Sequence, residues 1–245
     1  MSPERTAPGP ALHVVACAHG TDNPDGRRLV DGLRDDLSGA LREAGIHAVV
    51  HEAYVDVQQP ALPDVLAALP AGDRAVVAPL LLSEGFHTGV DIAEAVAGRA
   101  GTTAAAPIGA DPRVAEVLAE RLFASGFAPG DAVVLAAAGT RIEAGQQQAR
   151  RVADLLAERL GQPVTPAFCS AASPSVAAAV ADARASGAAR VGVASHLLAP
   201  GFFHDRLSTV GADYVSDPLL PSVTIASCVA GRLAESDFGG SAAFQ

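Results

Sequence analysis

Tryptophan is absent from this 245-residue chain, and tyrosine occurs only twice. Proteins that bind single-stranded nucleic acid stack its bases on aromatic side chains, and this sequence lacks such a platform. Lysine and arginine number 17 against 27 aspartates and glutamates, so the formal net charge is -10. Binding to nucleic acid or anionic lipid regardless of sequence depends on a surplus of positive charge. The composition therefore excludes nucleic acid and membrane surfaces as partners.

Long apolar runs are missing too. No segment offers the roughly 18 consecutive apolar residues that a membrane-spanning helix needs. Residues 1–10 contain three prolines and no apolar signal-peptide core, so we expect a disordered N-terminus and a cytoplasmic protein. Residues 236–245, rich in glycine, serine and alanine, are expected to form a flexible tail.

The cysteines are few and far apart. Three occur, an odd number, each among apolar neighbours: Cys17, Cys169 and Cys228. This pattern indicates small buried side chains rather than a disulfide framework or a zinc site. The dinucleotide-binding fingerprint, the Walker phosphate loop and the nucleophile elbow are also absent, so hydride transfer and phosphate chemistry lose their usual sequence support.

What the chain does contain is a regular alternation of short apolar runs and longer amphipathic segments. This is the pattern of βα units around a mostly parallel sheet. In the first half it predicts strands at 12–18, 46–55, 75–82 and 102–106, and helices at 27–44, 61–69, 91–99 and 111–125. Glycine and proline between residues 126 and 130 predict a linker.

The second half of the sequence repeats the first. Val133–Ala138 with the Gly-Thr after it matches the strand that leads to His19, and Val191–Leu198 with the Gly-Phe-Phe-His after it matches the strand that leads to His87. Two matches at nearly the same offset, roughly 118 residues, indicate an internal duplication. We therefore predict an α/β fold of two similar lobes, 11–126 and 131–235, each a mostly parallel sheet flanked by helices, facing each other across a cleft.

Two of the seven histidines stand out by position. His19 comes directly after the first predicted strand and His87 shortly after the third, and ligands of open α/β sheets bind outside the carboxyl ends of the strands. Neighbouring glycines allow a ligand to come close. Two imidazoles form a partial site for a divalent ion but are too few for a structural zinc site. Alternatively, each is a loop residue with an ordinary hydrogen bond. His13, His47 and His51 are interpreted as surface or edge residues.

Asp56 follows the second predicted strand and could add a carboxylate to the same crevice. It would accept a proton, neutralise the ion's charge or help to bind it. An equally weighted alternative is that Asp56 is the N-cap of the next helix. Glu84 and Asp91 are weaker candidates of the same kind.

Three runs, 14–21, 53–60 and 79–92, resemble the small class II chelatases of siroheme and cobalamin synthesis. The resemblance implies a tetrapyrrole of the sirohydrochlorin type held between the lobes, and a divalent metal bound by His19 and His87. It implies no cofactor beyond that metal substrate. Asp56 stands where these enzymes often have a glutamate. Ala138 replaces the equivalent of His19 in the second half, and His204 is displaced by one residue, so we expect one active site, built by the first lobe and covered by the second.

Further expectations rest on the same resemblance. The catalytic residues are His19, His87 and Asp56. Substrate contacts are predicted at Gly20, Ser83, Gly85, Phe86, Thr88 and His204. The substrate is rich in carboxylates, and candidates to meet them are Arg27, Arg28, Ser83, Thr88 and Arg206. Fe²⁺ is preferred, because siroheme is needed more widely than cobalamin, with Co²⁺ a close second and Ni²⁺ open. The protein is expected to be a monomer or homodimer. The alternatives are a non-catalytic metal or tetrapyrrole carrier, and a regulatory α/β module.

Overall fold

Two parallel sheets, one from each half of the chain, form the framework of the protein. The computed structural model describes residues 11–85 and 90–236. The first half contains β1 (Leu12–Ala18), α1 (Pro24–Glu43), β2 (Ala48–Tyr54), α2 (Leu62–Ala68), β3 (Arg74–Pro79), α3 (Ile92–Ala97), β4 (Thr102–Ala104) and α4 (Pro112–Ala124). The second half contains β5 (Ala132–Ala137), α5 (Glu143–Leu160), β6 (Val164–Phe168), α6 (Val176–Ala185), β7 (Val191–His196), α7 (Phe202–Leu207), β8 (Tyr214–Val215) and α8 (Val223–Glu235).

The strand orders of the two sheets are the same, β2-β1-β3-β4 and β6-β5-β7-β8, and neighbouring strands pair in parallel. The central strands β1 and β5 are apolar along almost their whole length, with His13 the exception in β1, because both faces of each sheet are covered by helices. The predicted α/β fold of two similar lobes is confirmed.

Local signals begin and end the helices. Pro24 stands at the first position of α1, and the Asn23 side chain before it accepts hydrogen bonds from the backbone N–H groups of Asp25 and Gly26. At the carboxyl end of α5, Gly161 adopts the left-handed conformation with φ 68°. These caps orient the helices that follow the two central strands.

The lobes are joined by an exchange of their last helices. The final helix of the first half, α4, packs against α5 and β7 of the second half. Its counterpart α8 packs against α1 and β3 of the first. One continuous apolar core therefore contains residues from both sheets and from α1, α4, α5 and α8. Each sheet has a separate apolar cluster on its outer face. Because each lobe's inner layer is completed by the other, neither lobe buries its apolar face alone.

Burial corrects one prediction about the histidines. His13, expected at a surface or edge, is only 6% exposed. Its Nδ1 lies 2.8 Å from Nε2 of His51, and its Nε2 lies 3.1 Å from a carboxylate oxygen of Asp73. This polar chain links β1, β2 and the residue before β3, and it lets a histidine be buried with both ring nitrogens paired. His47 is exposed, as expected.

The cysteines largely follow expectation. All three are free thiols; Cys17 and Cys228 are buried, and Cys169 is half-buried. Burial raises the pKa of the Cys17 thiol to about 12 and that of Cys169 to about 11, so both stay protonated at neutral pH. Of the helices in the described ranges, none combines the length and apolar character required to cross a membrane.

Candidate active site

The crevice of the first lobe opens between the loops that follow β1 and β3. These strands are neighbours in the sheet, but the helices after them lie on opposite faces. Leu37 of α1 is in the shared inner core, whereas Ile92 of α3 is in the outer cluster. Adjacent strands whose connections leave on opposite sides create the crevice in which open α/β sheets bind ligands. His19 is the first residue after β1 and is exposed at this point.

The turn that carries His19 is held against the turn that carries Asp56. The N–H of Asp56 donates to the carbonyl oxygen of His19 at 3.1 Å, and the N–H of Thr21 donates to Oε1 of Gln58 at 2.8 Å. Between them, Gly20 has φ 96°, and a Cβ there would overlap the Asp56 carbonyl oxygen. Glycine is therefore a structural requirement at position 20, because it lets the two turns approach each other, and the predicted substrate contact of Gly20 stays a prediction.

Asp56 does not cap a helix. The N-cap of α2 is Ala61, so that interpretation was wrong. The Asp56 carboxylate instead accepts a hydrogen bond from the N–H of Val57 at 2.7 Å and stays exposed to the crevice edge. Val57 has φ 59°, unfavourable for a β-branched residue, but Ala171 adopts the same angle at the equivalent turn of the second lobe. The unusual turn thus belongs to the duplicated fold rather than to the chemistry.

The loop after β3 is anchored on the second lobe. The N–H of Glu84 donates to Oε1 of Gln148 at 2.7 Å. The Glu84 carbonyl oxygen lies so close to Gly145 of α5 that any Cβ at that position would overlap it. Gly85 follows, half-buried near Thr140. His87, Phe86 and Thr88 come next in the chain and lie outside the described residues.

The loop of the second lobe docks on the first lobe in the same way. The turn after β7 approaches α1, where a Cβ on Gly26 would lie 2.5 Å from the Pro200 carbonyl oxygen. A Cβ on Gly201 would lie 3.2 Å from Oγ1 of Thr21. The two lobes therefore exchange loops as well as helices, and the contacts are reciprocal. As a result, the second lobe lies directly beside the turn that carries His19.

Substitution of Gly145 by alanine is expected to destabilise the protein by about 1 to 3 kcal/mol, because the added methyl group forces the Glu84 loop away from α5. Gly32→Ala is the matched control, since a Cβ on Gly32 meets no atom within 4 Å. There alanine should stabilise by about 0.5 to 1 kcal/mol through its higher helix propensity. Urea unfolding at neutral pH measures both, and equal midpoints for the two variants would show that the loop does not touch the helix.

Several other residues predicted to contact the substrate have partners within the protein. Nε2 of His204 lies 3.2 Å from the Ser216 carbonyl oxygen, so this half-buried imidazole is tied to its own lobe. Arg27 pairs with Asp22, and Arg28 pairs with Asp25. Ser83 is half-buried at the start of the docked loop. No group of three or more His, Cys, Asp or Glu side chains in residues 11–85 and 90–236 is arranged to hold a metal.

His196, at the end of β7, was missed by the sequence analysis. It is 2% exposed, and among the described residues neither ring nitrogen has a hydrogen-bond partner. Burial lowers the pKa of His196 from 6.5 to about 4, so the ring is neutral near pH 7. The available signal was a histidine inside the apolar run Val191–Leu198, where a polar side chain is costly.

Comparison with known proteins agrees with this architecture. The family model named CbiX matches residues 13–125 and 132–230, which correspond to the two halves. The chain belongs to the CbiX family. The resemblance to class II chelatases is thereby confirmed. A sirohydrochlorin cobaltochelatase of Methanothermobacter thermautotrophicus is 24% identical over 136 residues, 46% of this chain and 92% of that protein.

Solved structures share the fold at low identity. SirB from Bacillus subtilis with Fe³⁺ is 18% identical, with a TM-score of 0.76 over 93% of this chain and 96% of that one. The sirohydrochlorin chelatase SirB from Bacillus subtilis subspecies spizizenii, in complex with cobalt, is also 18% identical, with a TM-score of 0.70 over 92% and 94% of the two chains. DR2241 from Deinococcus radiodurans, with similarity to chelatases, is 21% identical and has a TM-score of 0.69 over 93% of this chain and 55% of that one.

Proposed function

We propose that the chain inserts a divalent metal ion, Fe²⁺ or Co²⁺, into sirohydrochlorin. The observation that carries this proposal is the position of His19, exposed at the β1/β3 crevice of the first lobe and beside the loop of the second. Membership of the CbiX family supports it, and so do the relatives, one described as a sirohydrochlorin cobaltochelatase and another as a sirohydrochlorin chelatase.

Metal insertion needs an incompletely coordinated ion. The ion must lose water, and two pyrrole protons must leave the macrocycle as its nitrogens bind the metal. In our proposal His19 and His87 hold the ion from the protein side, and the remaining coordination positions stay open to the macrocycle. A closed set of four protein ligands would retain the metal rather than transfer it.

In our proposal Asp56 assists the transfer. The hydrogen bond between the two turns keeps its backbone next to that of His19, and the carboxylate is exposed. A carboxylate there would neutralise the ion's charge or accept a proton from a pyrrole nitrogen. The exchanged loops hold this edge and the second lobe in one geometry, and such positioning removes much of the entropic barrier to a reaction between two bound partners.

The test is a multiple-turnover assay. Sirohydrochlorin is mixed anaerobically with Fe²⁺ or Co²⁺, and its absorbance is followed with and without the protein. Turnover beyond one equivalent above the spontaneous rate is expected with both metals. Tight pigment binding without acceleration would instead identify a carrier, and failure to bind either substrate would identify a regulatory module. Imidazole ligands accept both metals, so the ratio of kcat/KM values, with Fe²⁺ favoured in our proposal, defines the preference.

A further inference from the structure

An exposed aromatic side chain stands where the second lobe meets the His19 turn. Phe202, the first residue of α7, is 68% exposed. It directly follows Gly201, which approaches Oγ1 of Thr21, only two residues after His19. With consecutive Cα atoms about 3.8 Å apart, this places the backbone of Phe202 within roughly 20 Å of that of His19. The exposed ring therefore belongs to the segment of the second lobe that adjoins the turn carrying His19.

Neighbouring side chains hold the ring in one place. The Phe203 ring packs edge-on against it, with centroids 5.5 Å apart. One turn later on α7, the guanidinium carbon of Arg206 lies 5.3 Å from the Phe202 centroid. Arg206 is exposed, and within residues 11–85 and 90–236 its guanidinium forms no ion pair. It differs in this from Arg27 and Arg28, which have carboxylate partners.

Phe202 and Arg206 together are suited to bind a flat conjugated ligand with peripheral carboxylates. An aromatic ring contacts the face or edge of another π system favourably, and burying exposed apolar surface adds to that gain. A guanidinium binds a carboxylate through two parallel hydrogen bonds. In a chain of net charge -10, a local unpaired cation is also what an anionic ligand requires.

We propose that Phe202 and Arg206 bind the macrocycle from the second lobe, the ring contacting its conjugated surface and the guanidinium a peripheral carboxylate. This rests on the proposed function and deepens it. The first lobe then holds the metal, while α7 of the second lobe sets the position of the tetrapyrrole. Neither side chain reacts, so both act on substrate binding rather than on the chemical step.

Steady-state kinetics and pigment titration test the proposal. Phe202→Ala should raise KM and the equilibrium Kd for sirohydrochlorin about tenfold, with kcat within about twofold, since it removes one aromatic contact. Phe202→Tyr should restore both constants. Arg206→Gln should raise the same constants and weaken their dependence on salt, because one ion pair with the substrate is lost. Binding of Co²⁺ alone should be unchanged in all three variants.

The matched control is Phe123→Ala. Phe123 is 54% exposed and packs edge-on against Phe127, much as Phe202 packs against Phe203, but it lies at the end of α4 near the amino edge of the second sheet. Its replacement should leave KM and Kd unchanged. If the wild type turns over and Phe202→Ala behaves like this control, the inference is wrong and the proposed function stands. If the wild type neither binds nor converts the pigment, both fail.

Discussion

Replacement of His19 by alanine should lower kcat/KM for metal insertion at least about a hundredfold, the scale of losing a group that acts directly on the reacting atoms. The physical reason is that His19 supplies one of two imidazoles that, in our proposal, strip water from the ion and present it to the macrocycle. Binding of Co²⁺ should weaken in parallel, while the Kd for sirohydrochlorin should change little. Initial rates under anaerobic conditions and Co²⁺ titration measure the two effects.

His47→Ala is the control for this experiment. His47 is an exposed histidine near the start of β2, at the amino edge of the same sheet and therefore far from the crevice. Its loss should affect neither rate nor metal binding. Both variants should unfold within about 0.5 kcal/mol of wild type, as is usual for surface positions. Full activity in His19→Ala would exclude the residue as a metal ligand and with it the proposed site.

Acid should destabilise the wild type more than a His196→Leu variant. Between pH 6.5 and about 4 the unfolded chain binds a proton at His196, whereas the buried ring in the folded protein stays neutral. Protons therefore favour the unfolded state, and the free energy of unfolding falls as the pH is lowered through this window. The depressed pKa corresponds to a loss of about 2 to 3 kcal/mol by pH 4.5.

The leucine side chain does not titrate, so the His196→Leu variant should lack this part of the pH dependence of stability. Urea unfolding at pH 7 and at pH 4.5 gives the change in the free energy of unfolding between the two pH values for each protein. His51, whose pKa is lowered by burial and by His13, also titrates, but it does so in both proteins and cancels. His47→Gln serves as an exposed control and should retain the wild-type slope. Parallel pH profiles for wild type and His196→Leu would show that His196 is accessible to protons in the folded protein.

Most elements of the first half could be predicted because their signals are local. The helix around Leu33, Leu37 and Leu41 shows its period in the sequence, and observed boundaries differ from the expected ones by a few residues. The strand expected to reach Leu82 ends at Pro79, although Leu80 still donates its N–H to Cys17. In the second half, β6, α6, α7, β8 and α8 were not assigned. The α6 segment is rich in alanine and has little periodicity, so its pattern is weak.

In the candidate site too, some features follow from local sequence signals and others do not. The exposed position of His19 after a strand follows from the βα alternation, and so does its place near Asp56, because parallel strands end at one edge. His87 stays a sequence prediction. The proximity of Phe202 to the His19 turn depends on Pro200 meeting Gly26 across the lobes, a contact between residues far apart in the chain. No local pattern encodes that distance.

By itself, the sequence determined the order of strands and helices in the first half, the duplication, and the placement of His19 after the first central strand, since these follow from patterns within the chain itself. Only the tertiary structure decided which sheet each helix covers. The apolar stripe of α4, with Val114, Leu118 and Leu122, would fit either lobe, because hydrophobic burial is not directional. The exchange of α4 and α8 joins the two sheets through one shared core, and burial in the folded chain, not residue type, decided the environments of His13 and His196.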